Sequence, residues 1–318
     1  MAQDTLSGAR VTLLGGSGFL GRHVAQELLV RGARLTIANR HPERAFALKP
    51  LGNLGQVRFA RCDVTNPEQL AAAIAGADAV VNLVGAFKGD LDGLQGRGLG
   101  RVAETARAAG ARAFVHVSAN GADAESPVDY ARTKAEGEEA VLRAFPDATI
   151  MRPSILFGPD DNFVNRFAGL IAMMPVMPVF GPEAKLQPVF VDDVAEAIAV
   201  VLEDPAAHGG KRYELCGPDV MTMLEFNRRI ATAQGRERLF APLPDAVSKG
   251  FAMATGWLPG APITHDQWRL LQAGNVASGK LPGLDKLGVA ARPLGLFLDR
   301  WMVRFRKHGR FGTAAASR

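Results

Sequence analysis

The chain has 318 residues, of which 47% are apolar and 22% are charged, and a net charge of +5. This composition predicts a globular protein with one large or two modest cores and excludes intrinsic disorder. No run of about eighteen uncharged apolar residues occurs, which excludes a spanning helix. Two cysteines, Cys62 and Cys216, are too few for a disulfide framework and fit a reducing compartment. An apolar pattern begins by about residue 10, so we expect no signal or transit peptide and a cytoplasmic location.

Positive charge is concentrated at the carboxyl-terminal end of the chain. From Asp285 to Arg318 there are eight Lys or Arg residues and two acidic residues. Because the rest of the chain is close to neutral, the sequence predicts no nucleic-acid partner. The six histidines are scattered without the spacing of a metal site, and no Gly-x-Ser-x-Gly turn occurs. Metal catalysis and nucleophilic hydrolysis are therefore not expected.

In the first half, short apolar runs alternate with longer helical patterns, which is typical of parallel strands joined by crossover helices. The predicted strands are Val11–Leu14, Arg34–Ala38, Gln56–Ala60, Ala79–Val84, Ala113–Ser118 and Ala148–Arg152. The predicted helices are Leu20–Arg31, Pro67–Ala75, Gly98–Ala109 and Thr133–Ala144. We expect an α/β fold with a Rossmann-type, doubly wound parallel sheet.

The second half is less regular. Proline and glycine become frequent after Pro153, and an irregular stretch is predicted from Phe157 to Pro188. We predict a dinucleotide-binding domain over residues 1–155, whose core continues through strands from the second half. A smaller C-terminal α/β lobe is predicted over residues 156–318, with a basic amphipathic tail from about residue 285.

A glycine-rich turn, Gly15-Gly16-Ser17-Gly18-Phe19-Leu20-Gly21, follows the first predicted strand. Between a strand and a helix, Gly15 permits a tight turn, Gly18 lets a pyrophosphate approach, and Gly21 lets the helix pack closely. The alternative is a glycine-rich turn without a ligand. We predict a dinucleotide site whose contacts in this turn are Gly15, Ser17, Gly18, Phe19, Leu20 and Gly21.

The residues at the ends of the next strands indicate which dinucleotide the site binds. Where an NAD-selective site has an acidic residue for the ribose hydroxyls, this chain has Asn39 and Arg40. A cation there suits a 2′-phosphate, so NADP(H) is predicted over NAD(H); the alternative is that Arg40 is a solvated loop residue. Asp63, followed by Val64, is placed to accept from the adenine amino group. After the fourth strand, Val84 and Gly85 are predicted to form a small-residue edge along the cofactor.

Tyr130 and Lys134 are four residues apart on a predicted helix and therefore share a face. The Lys134 ammonium is expected to lower the pKa of the Tyr130 phenol and to hold the nicotinamide ribose. Ser118, at the end of the fifth strand, is placed to orient a substrate carbonyl. These three residues are the predicted catalytic set; the alternative is that Tyr130 and Lys134 form a solvated helix face.

These motifs together resemble the short-chain dehydrogenase/reductase superfamily, in its extended and atypical branches. Three segments narrow the resemblance to the NADPH-binding accessory subunit of respiratory complex I and its bacterial relatives: Arg152–Phe163, Gln187–Ala195 and Tyr213–Pro218. Pro153, in the first segment, is a further predicted cofactor contact. The resemblance extends from the first strand to roughly residue 305.

The resemblance implies two alternatives. The complex I subunit is regarded as a structural element that holds NADPH tightly, whereas some bacterial relatives are linked to quinone metabolism. The resemblance places Gln95 where many members carry an Asn that anchors a proton-relay water, which weakens the catalytic alternative. We expect an accessory or assembly subunit of complex I with a structural nucleotide. The alternatives are a free NADPH-dependent oxidoreductase or isomerase acting on a quinone-like substrate, and a regulator that senses the NADPH pool.

Two segments bear on contact with a membrane. Phe167–Pro182 carries no charge and is predicted either to contact lipid or cover a substrate entrance, or to be a buried loop. Leu294–Phe311 mixes apolar and basic side chains, which suits an anionic membrane surface, an acidic partner subunit or a simple docking helix. Attachment to a surface predicts a peripheral location on the cytoplasmic face of the inner membrane and weakens as salt rises.

Overall fold

The computed structural model describes residues 5–255, 264–307 and 309. The chain divides into two compact units, and each unit combines separate segments of the sequence. Unit 1 takes the described residues of Met1–Pro153, Val191–Leu215 and Ser278–Ala290. Unit 2 takes those of Ser154–Phe190, Cys216–Ala277 and Ala291–Arg318.

The strands of the described residues are labelled in chain order: β1 (Arg10–Leu14), β2 (Arg34–Asn39), β3 (Val57–Arg61), β4 (Ala79–Asn82), β5 (Ala113–Val117), β6 (Thr149–Pro153), β7 (Leu156–Phe157), β8 (Val176–Val179), β9 (Lys185–Leu186), β10 (Val189–Phe190), β11 (Arg212–Leu215), β12 (Met221–Thr222) and β13 (Leu239–Pro242).

The α-helices are labelled in the same way: α1 (Phe19–Val30), α2 (Pro67–Ile74), α3 (Leu91–Gln95), α4 (Leu99–Ala108), α5 (Asp129–Ala144), α6 (Val164–Met173), α7 (Val191–Glu203), α8 (Pro205–His208), α9 (Met223–Ala233), α10 (Asp245–Thr255), α11 (His265–Ala273) and α12 (Gly295–Trp301). Among the described residues, three 3₁₀ helices cover Pro42–Leu51, Leu284–Leu287 and Met302–Phe305.

Unit 1 is built on a parallel sheet of seven strands in the order β11-β6-β5-β4-β1-β2-β3. Every residue of β4 and β5 is buried, as expected of central parallel strands that are covered on both faces. Helix α1 packs against α7, and α4 packs against α2 and α5. The predicted doubly wound Rossmann-type sheet is confirmed.

The predicted elements of the first half are present, with small differences at their ends. All six predicted strands occur, and β11 adds a seventh, with Tyr213 paired to Met151 of β6. The predicted start of a helix at Thr133 is wrong, because α5 begins at Asp129 and therefore includes Tyr130. The predicted helix start at Gly98 is close to that of α4, but a separate short helix, α3, precedes it.

Unit 2 contains short strand pairs and helices, which confirms a smaller α/β lobe. Strands β7 and β10 pair in parallel, as do β8 and β13, whereas β9 and β12 are antiparallel. The prediction that Phe157–Pro188 is irregular is wrong, since it includes the ten-residue helix α6. The buried carboxylate of Asp161 accepts from the N–H groups of Gly158 and Val164 and so fixes the beginning of this helix.

The described part of the predicted tail is divided between the units: residues 285–290 belong to unit 1, and those from Ala291 onward belong to unit 2. Phe297 of α12 stacks on Phe190 at a centroid distance of 4.2 Å and on Trp301 at 4.8 Å. The Arg292 guanidinium lies 4.6 Å from the centre of the Phe190 ring. Arg304 donates to the Pro159 carbonyl. The remainder of Leu294–Phe311, at its carboxyl-terminal end, lies outside the described residues apart from position 309.

Candidate functional site

The glycine-rich turn joins β1 to α1 in unit 1. Gly15 has a φ of 80°, and its N–H donates to the Ala38 carbonyl at 2.8 Å, which ties the turn to the end of β2. A Cβ on Gly21 would lie 2.7 Å from backbone atoms of Gly16, so the close approach of helix and turn requires glycine. Gly18, at the N-cap of α1, provides no side-chain acceptor for the first N–H groups of the helix. An anion can accept from these groups.

The other predicted contacts of the turn lie beside these glycines. Ser17 and Phe19 are half-buried, and Leu20 is buried. The Phe19 and His23 rings pack in a T-shaped arrangement with a centroid distance of 5.3 Å.

Asn39 and Arg40 lie at the end of β2. Asn39 is 9% exposed, and neither its amide oxygen nor its amide nitrogen has a hydrogen-bond partner among the described residues. Arg40 is exposed. A buried amide without partners is costly in a folded protein, so Asn39 fits a ligand that offers it hydrogen-bonding groups.

Asp63 follows β3 and is half-buried, as is Val64. The Asp63 carboxylate accepts from the hydroxyl and the N–H of Thr65. These two bonds lower the pKa of Asp63, and the positive charge of Arg40 lowers it further. Asp63 is therefore an ionised neighbour of Arg40, and its predicted contact with adenine stays a prediction.

Gly85 and Lys134 meet at the end of β4. A Cβ on Gly85 would lie 3.2 Å from Lys134 Nζ. Lys134 is 4% exposed, and its ammonium donates to the Val117 carbonyl at 3.2 Å. Val84 is half-buried, and its N–H donates to Asn82 Oδ1. The structure thus brings the predicted edge and the predicted lysine together.

Burial sets the ionisation of Lys134. It lowers the pKa of the ammonium to about 8, although the nearby charge of Glu138 opposes the shift. His116 is fully buried, and burial together with the charge of Lys134 holds its pKa well below the ordinary value. Close to neutral pH, Lys134 is therefore the cation of this site and His116 is neutral.

Tyr130 lies one turn before Lys134 on α5. Its ring stacks on Phe87 with a centroid distance of 4.5 Å and an interplanar angle of 14°. Burial raises the pKa of the Tyr130 phenol to about 12. The expected lowering of this pKa by Lys134 is therefore wrong, because desolvation of the phenol outweighs any effect of the ammonium. Phe87 is not apparent from the sequence motifs, since its role depends on a contact between distant residues.

Ser118 and Pro153 lie at the ends of neighbouring strands. Ser118 is 4% exposed, its N–H donates to the Met151 carbonyl at 2.7 Å, and its hydroxyl has no partner among the described residues. Pro153 is the last residue of β6, and its carbonyl accepts from the Asn120 N–H at 2.8 Å. The Ser118 hydroxyl is thus a second buried polar group that lacks a protein partner.

Gln95 joins the cofactor side of the sheet to α5. It is completely buried, its amide oxygen accepts from the Ala86 N–H at 2.9 Å, and its amide nitrogen donates to Thr133 Oγ1 at 3.1 Å. Gln95 ends α3 and does not lie on the following helix. Its bonds fasten the loop that carries Phe87 to the helix that carries Tyr130 and Lys134.

The predicted site residues gather at one edge of the sheet. Because the strands are parallel, their carboxyl ends share this edge, where open α/β sheets bind ligands. The glycine turn, the buried lysine and the unpartnered groups of Asn39 and Ser118 fit a dinucleotide there. Such a ligand supplies phosphates for the helix amino terminus and hydroxyls for the ammonium.

The sequence motifs did not identify one further cation at this edge, which is half-buried. Arg22, in the second turn of α1, is half-buried, and its Nε atom is buried without a hydrogen-bond partner in the described part of the chain. Its position, immediately after Gly21, is the sequence signal that could have identified it.

Within residues 5–255, 264–307 and 309, no helix is both long enough and apolar enough to cross a membrane. The same residues contain no group of three or more His, Cys, Asp or Glu side chains that could hold a metal ion.

Sequence comparison identifies relatives over most of the chain. Residues 11–216 match the NAD dependent epimerase/dehydratase family. The chain is 31% identical to subunit 9 of the 1 alpha subcomplex of mitochondrial NADH dehydrogenase (ubiquinone) from Arabidopsis thaliana, over 99% of this chain and 83% of the relative. It is 30% identical to a ceramide reductase from Caulobacter vibrioides, over 78% of each chain.

Structural comparison gives the same fold. An NADPH-dependent quinone oxidoreductase from Escherichia coli, solved as a complex with NADPH, superposes with a TM-score of 0.71. The superposition covers 91% of this chain and 99% of that one, at 20% sequence identity.

Proposed function

The chain belongs to the NAD dependent epimerase/dehydratase family, and from this premise we propose that it is an NADP(H)-binding accessory or assembly subunit of respiratory complex I. The observation that carries the proposal is the 31% identity, over 99% of the chain, with a mitochondrial NADH dehydrogenase subunit. In this proposal the nucleotide is a structural element. It stabilises the native state because it binds the folded chain alone.

The residues that hold the nucleotide in this proposal are those of the sheet edge. The N–H groups at the start of α1 donate to the pyrophosphate, and the Lys134 ammonium holds the nicotinamide ribose. The loop of Val84 and Gly85 lies along the cofactor. Bound NADPH would supply a hydride, but the structural role does not require its transfer.

The preference for NADP(H) over NAD(H) rests on the end of β2. Asn39 occupies the position at which an acidic residue would bind the ribose diol, and Arg40 follows it. A guanidinium group recognises a phosphate through paired hydrogen bonds. Arg40→Glu should therefore reverse or abolish the preference, as measured by the rise in melting temperature with each nucleotide.

The decisive experiment is native electrophoresis of gently solubilised membranes. We expect the protein to co-migrate with NADH dehydrogenase activity, and removal of nucleotide to lower its melting temperature and loosen that association. Migration only as a small free species, or unchanged stability when nucleotide is removed, would contradict the proposal.

The same proposal places the protein peripherally on the cytoplasmic face of the inner membrane. Arg300 and Lys307 are among the exposed cations of the described tail and are available to an acidic subunit or an anionic lipid surface. Release from washed membranes as salt rises would support an electrostatic attachment, whereas release that is independent of salt would support docking through apolar packing.

A second candidate is a free NADPH-dependent oxidoreductase acting on a lipophilic substrate. The observation that favours it is the unpartnered, buried hydroxyl of Ser118 beside a nucleotide edge. Here Ser118 donates to a substrate carbonyl oxygen and Tyr130 supplies a proton to that oxygen, while a hydride from NADPH reduces the carbon. The raised pKa of Tyr130 keeps the phenol protonated but makes it a weaker proton donor than the sequence predicted.

Tyr130→Phe separates the two candidates. If the protein is an oxidoreductase, the substitution abolishes NADPH oxidation with carbonyl or quinone substrates and leaves nucleotide affinity intact. If the nucleotide is structural, Tyr130→Phe leaves co-migration with NADH dehydrogenase unchanged. NADPH oxidation that persists in Tyr130→Phe would contradict the proposed role of Tyr130 as the proton donor.

A further inference from the structure

The side chain of Arg22 carries a buried hydrogen-bond donor. Its Nε atom is inaccessible to solvent and has no acceptor among the described residues. A guanidinium is always charged and offers only donors, so desolvating one of its N–H groups without an acceptor is unfavourable. A donor of this kind is explained by an anion that binds beside it.

The geometry of α1 shows which way Arg22 faces. His23 contacts Asp192 of α7, so that side of the helix faces α7. Leu29 lies on a different side of α1, which approaches Gly52. A Cβ added to Gly52 would be 3.3 Å from the Cδ2 atom of Leu29. Residues seven apart share a stripe of an α-helix. Arg22 therefore lies on the stripe of Leu29 and faces the connection between β2 and β3.

That connection begins with Asn39 and Arg40. The N–H of Gly15 holds the glycine turn against Ala38, directly before Asn39. The amide of Asn39 is buried and, like Arg22 Nε, has no hydrogen-bond partner in the ranges that the structure describes. The acidic neighbour of Arg40, Asp63, is already hydrogen-bonded by Thr65. The end of β2 thus carries the cation Arg40 and an amide without a partner among the described residues, and Arg22 faces the connection that follows them.

We propose that Arg22 is a second ligand, together with Arg40, of the 2′-phosphate of an adenosine nucleotide, and that it determines selectivity for NADP(H). The inference rests on the proposed nucleotide function and adds to it a residue that no sequence motif assigned. Two guanidinium groups at one phosphate give directional, charge-assisted hydrogen bonds. NADH lacks this phosphate, so the contribution of Arg22 is confined to the phosphorylated nucleotide.

The test compares Arg22→Met with Arg34→Met. Arg34 is an exposed arginine at the opposite end of β2 and serves as the matched control. Affinities for NADPH, NADH and adenosine 2′,5′-bisphosphate are measured by calorimetry and by the rise in melting temperature. We expect Arg22→Met to weaken the binding of NADPH and of the bisphosphate by about ten- to a hundredfold and to leave the affinity for NADH unchanged. Arg34→Met should match the parent for all three.

Three results would overturn the assignment. Equal weakening of NADPH and NADH would place Arg22 at the shared pyrophosphate, and unchanged affinity for NADPH would remove it from the site. A parent protein that binds none of the three compounds would overturn the nucleotide proposal and Arg22 with it. If Arg22→Met does not fold, Arg22→Lys takes its place, because lysine retains the positive charge but lacks the planar guanidinium. We expect its loss of NADPH affinity to be smaller than the loss predicted for Arg22→Met.

Discussion

The polar groups at the carboxyl edge of the sheet in unit 1 differ from those of the basic tail in unit 2 in whether they have hydrogen-bond partners. At the sheet edge, Arg22, Asn39 and Ser118 have buried polar atoms without partners among the described residues. In the tail, Arg304 and Arg306 donate to backbone carbonyls of unit 2. The comparison shows that charge alone does not mark a binding site. The informative feature is a buried donor or acceptor that the protein leaves unsatisfied.

This difference bears on the two interpretations of the tail. Its amphipathic sequence suits a membrane surface and a docking helix equally well. In the structure the described part has its aromatic side chains packed together, with Phe297 stacked on both Phe190 and Trp301, whose own ring centroids are 6.0 Å apart. This packing supports the docking helix for that part of the segment and leaves exposed cations such as Lys307 for electrostatic contact.

The largest expected loss of unfolding free energy is at a buried carboxylate that is paired with two arginines. Glu138 has a side chain that is 1% exposed and accepts hydrogen bonds from Arg152 and Arg212. Glu138→Gln leaves two guanidinium groups without their buried counter-charge and should cost about 3–5 kcal/mol of unfolding free energy. Urea unfolding measures this value. Glu139→Gln, at the exposed neighbour that also pairs with Arg212, should cost less than about 1 kcal/mol.

Equal losses at Glu138 and Glu139 would contradict this comparison, because the two carboxylates share Arg212 but only Glu138 is buried and also paired with Arg152.

A smaller effect is expected at Lys134, which is buried with a single carbonyl acceptor. Its pKa falls from an ordinary 10.5 to about 8 on folding. Between these values the unfolded chain retains a proton that the folded chain has lost, so stability rises as pH increases through this window. The rise amounts to about 3 kcal/mol. The stability difference between the parent and Lys134→Met, followed by urea unfolding from about pH 7 to about pH 10, should show it.

Lys49→Met, at an exposed lysine of the first 3₁₀ helix, is the control and should give a curve parallel to that of the parent. A parallel curve for Lys134→Met as well would show that the buried ammonium does not titrate in this window.

The smallest effect on stability is expected at Ser118. Its hydroxyl has no partner in the described part of the chain, so Ser118→Ala removes no hydrogen bond seen there and should change the unfolding free energy by less than about 0.5 kcal/mol. Ser154, which is similarly buried, donates to the Gln187 carbonyl, and Ser154→Ala should cost about 1–3 kcal/mol. Thermal unfolding of the two variants compares a partnered with an unpartnered hydroxyl, and a larger loss at Ser118 would reverse the comparison.

The sheet of unit 1 could be predicted because its signals are local. Each strand is a short apolar run, and the glycine turn from Gly15 to Gly21 marks the first junction between strand and helix. Helix α6 could not be recognised in the same way. The prolines around it predict loops, and its beginning is fixed by the buried carboxylate of Asp161, whose environment the sequence does not show.

The site was predictable in outline and not in its electrostatics. Parallel strands bring Ser118, Gly85 and Asn39 to one edge, as their positions in the sequence indicated. The raised pKa of Tyr130 depends on burial beneath Phe87, and the role of Gln95 depends on bonds to residues on two other segments. Contacts of this kind between distant parts of the chain leave no periodic pattern.

The interleaved construction of unit 1 has a consequence for biosynthesis. Strand β11, at the edge of the sheet, pairs with β6, but the ribosome completes β6 at Pro153 and reaches β11 only at Arg212. During that interval the nascent chain exposes an unpaired strand edge, which is a template for intermolecular pairing. A truncated gene product that stops after the first half would retain this open edge permanently and should aggregate.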